Sequence, residues 1–310
     1  MGEPQIAIIT NCTSRKRGAA KGRLRVEHSQ RLSLETIASN WVSRTDRRDA
    51  AFRAGDYYLG RAFSEARRSA ECAGARLLIV SAGLGLIHSD HTIPPYDLTV
   101  SGGASSIAPL LLSKKASPSD WWEALSKAKG QLHPLAAFLS SFKSGIVLLA
   151  LPSTYLEMVA EDLKAIPSRS ADRLRIFTSP RGMQLIPKTL ERSAIRYDER
   201  LEGSSFSGTQ SDFAQRALCH YVCELKGHMA PLDGSKAAVT ASLSKFKRRT
   251  IPKRVKKTDS EIAALLRKQW RKHDGKSSSL LRYLRDEAKV ACEQSRFRDI
   301  WRSLEMKNAA

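Results

Sequence analysis

The sequence predicts an α/β protein, an open and mostly parallel sheet flanked by helices, followed by a small C-terminal all-α domain. Three observations carry that expectation. Four short apolar runs, at residues 6–10, 77–81, 146–151 and 174–178, are continuous rather than alternating, the pattern of strands covered on both faces. Amphipathic helical stretches separate them, and strands alternating with helices imply right-handed crossovers within one open sheet. Beyond residue 227 a basic stretch and then short helical patterns replace the alternation.

Each element has its own signature. The first run passes directly into Asn11, Cys12, Thr13, Ser14, Arg15, Lys16 and Arg17. Residues 50–73 place Leu59, Ala62, Phe63, Ala66 and Ala70 on one helical stripe. Residues 154–165 open with Thr154 and Glu157 at capping-box spacing and continue with Met158, Val159 and Leu163. Phe213, Ala214, Ala217, Leu218, Tyr221, Val222 and Leu225 form another amphipathic helix, which closes an α/β domain at residues 1–227. Residues 228–258 show little periodicity, and eight of the thirteen residues from 245 to 257 are Lys or Arg, as in a linker ending in a basic arm. Thr258 and Glu261 are spaced to cap a helix carrying Ile262, Leu265, Leu266 and Trp270. The residues after it read as helix, short turn, helix. Residues 259–310 are therefore expected to form a helix-turn-helix-like DNA-binding module; a helical hairpin docked on the main domain is the plainer alternative.

Composition narrows the function. Fifty-two Lys and Arg against 31 Asp and Glu leave a net charge of +21, which points to a polyanionic partner, nucleic acid ahead of an anionic membrane surface. No apolar run approaches the roughly 20 residues of a membrane span, and residues 1–16 lack the apolar segment of a signal peptide. A cytoplasmic, monomeric protein is expected. Cysteines at 12, 72, 219, 223 and 292 form no framework. Cys219 and Cys223, one helical turn apart near His220 and His228, raise zinc, but no second pair completes a site, so reduced thiols and no metal are expected. Neither GxGxxG nor a P-loop occurs, which argues against a bound dinucleotide or nucleoside triphosphate.

Ligands of open α/β sheets bind outside the carboxyl ends of the strands. Four loops should therefore converge there. The first supplies Asn11, with Ser14, Arg15 and Lys16 as donors suited to phosphate. The second, residues 81–99, supplies Ser81, Gly83, Gly85, His88, Asp90, His91, Tyr96 and Asp97. The third supplies Ser153, Tyr155 and Glu157, and the fourth Ser179 and Arg181. Tyr96 beside Asp97 suits a base or ribose, since a ring stacks and a carboxylate orients; packing of Tyr96 and turn-capping by Asp97 explain the same pair. Glu157 reads equally as a helix cap or as a carboxylate facing a substrate amine. Ser-His-Asp catalysis lacks a GxSxG, and Cys12 lacks a nearby histidine.

The ordered stretches "NCTSRK", "YYLGRAFSEA", "SAGLGLI" and "IPPYDLT" resemble a bacterial family of α/β domains carrying CSxxK, LYxGxxF and SAxYGLL…IxPYD, over residues 5–180. Relatives of that pattern occur beside tRNA-guanine transglycosylase-like domains, and their fold is similar to the uracil-DNA glycosylase superfamily. Among them the chain resembles the anti-phage DNA glycosylases that excise glucosylated hydroxymethylcytosine. The resemblance implies a uracil-DNA-glycosylase-like sandwich, phage DNA as partner, no cofactor, and a water held by Asn11 or Asp90. It also implies phosphate clamps at Arg15, Lys16 and Arg181 and base contacts from Tyr96, Asp97 and Glu157; the basic arm and the Arg-rich tail, outside its span, add expected DNA contacts from Lys247, Arg248, Arg249 and Arg296. The Gly and Pro that neighbour the first-strand residue in that superfamily are absent, and Thr178-Ser179-Pro180-Arg181 lacks the His of its late motif. A base-exchanging transglycosylase with a covalent Asp90 or Asp97, and a ligand-sensing DNA-binding regulator, are the alternatives.

Overall fold

The structure, a computed structural model, describes residues 6–27, 29–248 and 254–309. The chain divides into two units, Met1–Arg249 and Thr250–Ala310. In the first, β1 (Ile6–Asn11), β2 (Arg76–Ser81), β3 (Gly85–His88), β4 (Ile146–Ala150) and β5 (Leu174–Phe177) form one sheet in the order β3-β2-β1-β4-β5. All pairings are parallel except β2 with β3. The four predicted strands are present because their apolar side chains are covered: Ile8, Ile79, Leu148 and Ile176 are fully buried. The strand β3 was not predicted. Gly83 and Gly85 read as loop, and the tight turn they make sends the chain back along β2.

Helices α1 (Leu34–Asp46), α2 (Arg61–Ala73), α3 (Pro118–Ala128), α4 (Pro134–Ser141), α5 (Ser153–Met158) and α6 (Phe213–Cys219) flank the sheet. α2 packs on α6 and β1, α6 on β4 and β5, and α1 on α3. The stripe expected over residues 50–73 becomes a helix only from Arg61. Gly60 has φ +104°, and the preceding Tyr58 is extended, bridged to Lys16. Thr154 does not cap α5: Pro152 occupies that position without a side-chain hydrogen bond, and Glu157 instead faces Arg181 at 3.6 Å. The stretch read as a linker contains a helix, α7 (Leu232–Ser244), whose Leu232, Val239 and Leu243 join the main core. Apolar positions seven and then four residues apart form one helical stripe among small and polar residues, which diluted the signal.

The second unit contains α8 (Asp259–Gln269), α9 (Ser277–Arg282) and α10 (Gln294–Ala309) around Ile262, Leu266, Leu280, Leu284, Phe297 and Leu304. It is helical apart from a two-residue parallel pairing of Val255–Lys256 with Val290–Ala291. The capping box predicted at Thr258 is formed, and the Thr258 backbone N–H, assisted by Lys257, pulls the Glu261 carboxyl down to about 2. Among the described residues no helix is long and apolar enough to cross a membrane.

Candidate active site

The carboxyl edge of the sheet is closed by polar side chains that sit on apolar strands. β1 delivers Asn11 to this edge, where it pairs in register with Val80 and is 8% exposed. Its amide is held on both sides. Asn11 Nδ2 donates to the Cys12 carbonyl at 2.7 Å, and Asn11 Oδ1 accepts from Gln215 Nε2 at 2.7 Å. Gln215, on α6, also donates to the Ala150 carbonyl at the end of β4 (3.0 Å), so one side chain ties two strand ends together. The buried Gln215 Oε1 has no hydrogen-bond partner. Sequence reasoning missed Gln215. The available signal was an amide inside the apolar stripe of "FAQRALC", a residue type that seldom enters a core unless it is satisfied there.

Next to it, Cys12 Sγ lies 3.0 Å from the Tyr155 hydroxyl, which also donates to the Cys12 carbonyl at 3.1 Å. Burial first, and then the adjacent Cys12, raise the Tyr155 phenol far above its ordinary range. Lys16 turns inward. Its side chain is fully buried, with Nζ 3.3 Å from the Leu98 carbonyl, 4.0 Å from Asp97 Oδ1 and 5.0 Å from the Tyr96 ring centre. Burial lowers its pKa, opposed by Cys12 and Asp97. Asp97 is 7% exposed and lies 3.6 Å from Arg25, a second residue the sequence did not single out.

Several expectations are corrected here. Lys16 is a buried counter-charge rather than a solvent-facing phosphate clamp. Tyr96 has no free face: its hydroxyl meets Tyr58 (2.7 Å) and Ser81 (2.6 Å), and its ring packs edge-on against Trp41. Ser81 also accepts from the Gly83 and Leu84 backbone, shaping the β2–β3 turn. The carbonyls of that turn, Ala82 and Gly83, accept from the Trp121 and Trp41 indoles at 2.7 and 2.6 Å.

The second loop does not stay at one edge. β3 runs back so that His88 sits opposite Leu78, and Ser89 N donates to the Leu77 carbonyl. Asp90 therefore lies near the start of β2, roughly 10 Å or more along the sheet from Asn11 at about 3.3 Å per residue. There Asp90 pairs with Arg53 and His88, beside a groove of about 610 Å³ lined also by Arg67 and Glu71. Burial lowers the His88 pKa against the opposing charge of Asp90. Asn11 and Asp90 cannot share one water.

The remaining predicted residues divide between rim and scaffold. Ser14, Arg15 and Arg181 are exposed, and Ser153, Glu157 and Ser179 are half-buried at their strand ends. Ser179 caps its short helix by accepting from Gly182 N. Lys247 is exposed, Arg248 is paired with Asp198 and Glu199, and Arg249 lies outside the described residues. Arg296 is committed within the second unit to Asp259 (2.6 Å) and the Lys257 carbonyl (2.8 Å). Cys219 and Cys223 are thiols 3.7 Å apart, and among the described residues no cluster of His, Cys, Asp and Glu can hold a metal.

No curated protein and no solved structure matches the chain. Residues 43–106, which run from the end of α1 through α2, β2 and β3 to just beyond Asp97, match the model of a family of unknown function, DUF6884.

Proposed function

We propose that the α/β unit is a DNA N-glycosylase that hydrolyses the glycosidic bond of a modified cytosine, glucosylated hydroxymethylcytosine of phage DNA, and leaves an abasic site. The protein would act in the cytoplasm, as a monomer, in defence against phage. The observation that carries this reading is the Asn11 amide, fixed from both sides at the carboxyl edge of the sheet in a residue that is not wholly enclosed. The motif resemblance and the net charge of +21 support the choice of substrate.

In this mechanism the target nucleotide leaves the base stack, at a cost of a few kcal/mol that contacts to flanking phosphates offset. Ser14, Arg15, Ser153, Ser179 and Arg181 stand around the edge to make those contacts. Asn11 Oδ1 keeps a second lone pair for a water, and Gln215 sets the plane of the amide. The water oxygen bonds to C1′, the C1′–N bond breaks, and its electron pair leaves with the base, which takes up the proton that the water gives up. Substrate phosphates stabilise the cationic sugar. Asp97, held by Lys16 and Arg25, faces polar groups of the base or its glucose.

Incubating the purified chain with modified and unmodified duplexes, then cleaving abasic sites with alkali, tests the reading. Scission of the modified strand alone is expected. Asn11→Ala should lower excision at least about 100-fold, the scale of a misplaced reactant, while Asp90→Ala should leave it unchanged. No scission of any modified substrate, or full activity in Asn11→Ala, overturns the proposal. The buried, cation-flanked Asp97 supports a second reading, base exchange through a covalent glycosyl–carboxylate. Incorporation of free base without abasic sites would favour it.

A further inference from the structure

The second unit carries 16 Lys and Arg against eight Asp and Glu, but its cations are unevenly committed. Arg254 pairs with Asp286, Lys257 with Glu261, Lys276 with Asp274 and Arg296 with Asp259, while Arg285 donates to the Cys292 carbonyl. Arg298 and Arg302 are exposed and make no ion pair among the described residues. With Gln294 they follow one another at four-residue intervals, so all three share one face of α10.

That face opens on a groove of about 620 Å³ whose other wall is the start of α9, with Ser277 and Ser278. No carboxylate lines it. The groove on the opposite side of α10 is different, its charges mixed, with Asp259 and Asp299 beside Arg267 and Arg296. The edge of α10 is also fixed in place. Trp301 stacks on Trp270 at 6.3 Å and donates its indole N–H to the Gly275 carbonyl at 2.8 Å, while Phe297 is buried beneath.

We infer that this face of α10 is a reading surface for double-stranded DNA, with Gln294, Arg298 and Arg302 directed at base edges in the major groove and Ser277 and Ser278 at the adjoining phosphates. An α-helix fits the major groove, where Arg pairs with guanine and Gln with adenine in bidentate fashion. Free cations beside neutral hydrogen-bonding groups, in a groove that no carboxylate lines, are complementary to a polyanion that also presents donors and acceptors. Arg296, the residue the sequence pointed to, belongs to the scaffold. The inference concerns where DNA is held and rests on the proposed reading only for DNA as the substrate of the first unit; binding is measurable without excision.

Fluorescence anisotropy of the full chain on an unmodified 20-base-pair duplex, titrated across salt, tests it. Arg298→Ala and Arg302→Ala should each weaken binding about tenfold and lower the slope of log affinity against log salt by about one. Gln294→Ala should weaken binding while leaving that slope unchanged. Lys268→Ala, an exposed cation on α8, is the control and should change affinity by less than twofold. Unchanged binding in both arginine variants overturns the inference, as does equal or tighter binding of a single strand or an RNA duplex. Loss of excision with these effects intact would sink the catalytic proposal and leave the surface standing.

Discussion

Gly83 shows how a single position ties the turn to the core. A Cβ built there would lie 2.6 Å from the Tyr96 ring, and the Gly83 carbonyl is taken by the Trp41 indole. Gly83→Ala forces an inflexible ring to move, an overpacking cost of about 1–3 kcal/mol. Its denaturation midpoint should fall accordingly, and the same substitution in a Tyr96→Leu background should cost less. Equal costs in both backgrounds would show that the ring is not the obstacle. From the sequence, Gly83 read as a loop residue at the ligand edge and Tyr96 as a stacking ring. The Tyr96 ring in fact packs against the Gly83 backbone, at a turn that periodicity alone did not reveal. Lys16 is a similar case. A basic run normally lies in solvent, and only the fold brings Leu98, Asp97 and Tyr96 around its amine.

At the level of elements, α6 continues into a π-helical turn, His220–Glu224, that couples the main core to α7. His220 Nδ1 lies 2.8 Å from the Tyr197 hydroxyl and Nε2 lies 3.2 Å from Ser242 Oγ on α7. Burial lowers the His220 pKa below its usual 6.5. Below pH 6.5 the unfolded chain therefore binds a proton that the native state resists, so stability falls as pH drops from 6.5 toward the lower native value and then levels. Urea unfolding at a series of pH values should show that loss, and His220→Gln should flatten it. An identical pH profile in the variant would assign the loss elsewhere. The four parallel strands and the Thr258 cap were legible because continuous apolar runs and capping boxes are local signals. β3 and α7 were not, since a four-residue strand that opens on a glycine and a sparse apolar stripe leave no comparable mark. That one omission, β3, also misplaced Asp90, because the reversal carries residues 88–90 to the other end of the sheet before the chain returns to set Tyr96 beside Ser81.

Across the whole molecule, two hydrophobic cores share no member, one in each unit. The second is built from only 61 residues, a size at which little surface is buried and stability is marginal. Calorimetry of the full chain should resolve two transitions, the smaller at lower temperature. A single transition accounting for all the heat would mean that the units unfold as one. The basic charge, read from the sequence as an arm and a tail, is distributed differently in the fold. Arg248 and Arg296 are spent on internal pairs, whereas Arg298 and Arg302 remain open. Composition announces the sign of a partner, but which cations meet it depends on where the carboxylates fall.

The two indoles that hold the β2–β3 turn have an optical consequence. Trp41 and Trp121 are almost wholly shielded from water, so their emission should lie at the blue end of the tryptophan range. Their N–H groups end on the carbonyls of residues 82 and 83, within the same edge that Asn11 occupies. Any ligand that shifts this turn alters the field around both fluorophores. With Trp270 and Trp301 of the second unit replaced by Phe, the indoles of the first unit become a label-free gauge of this edge.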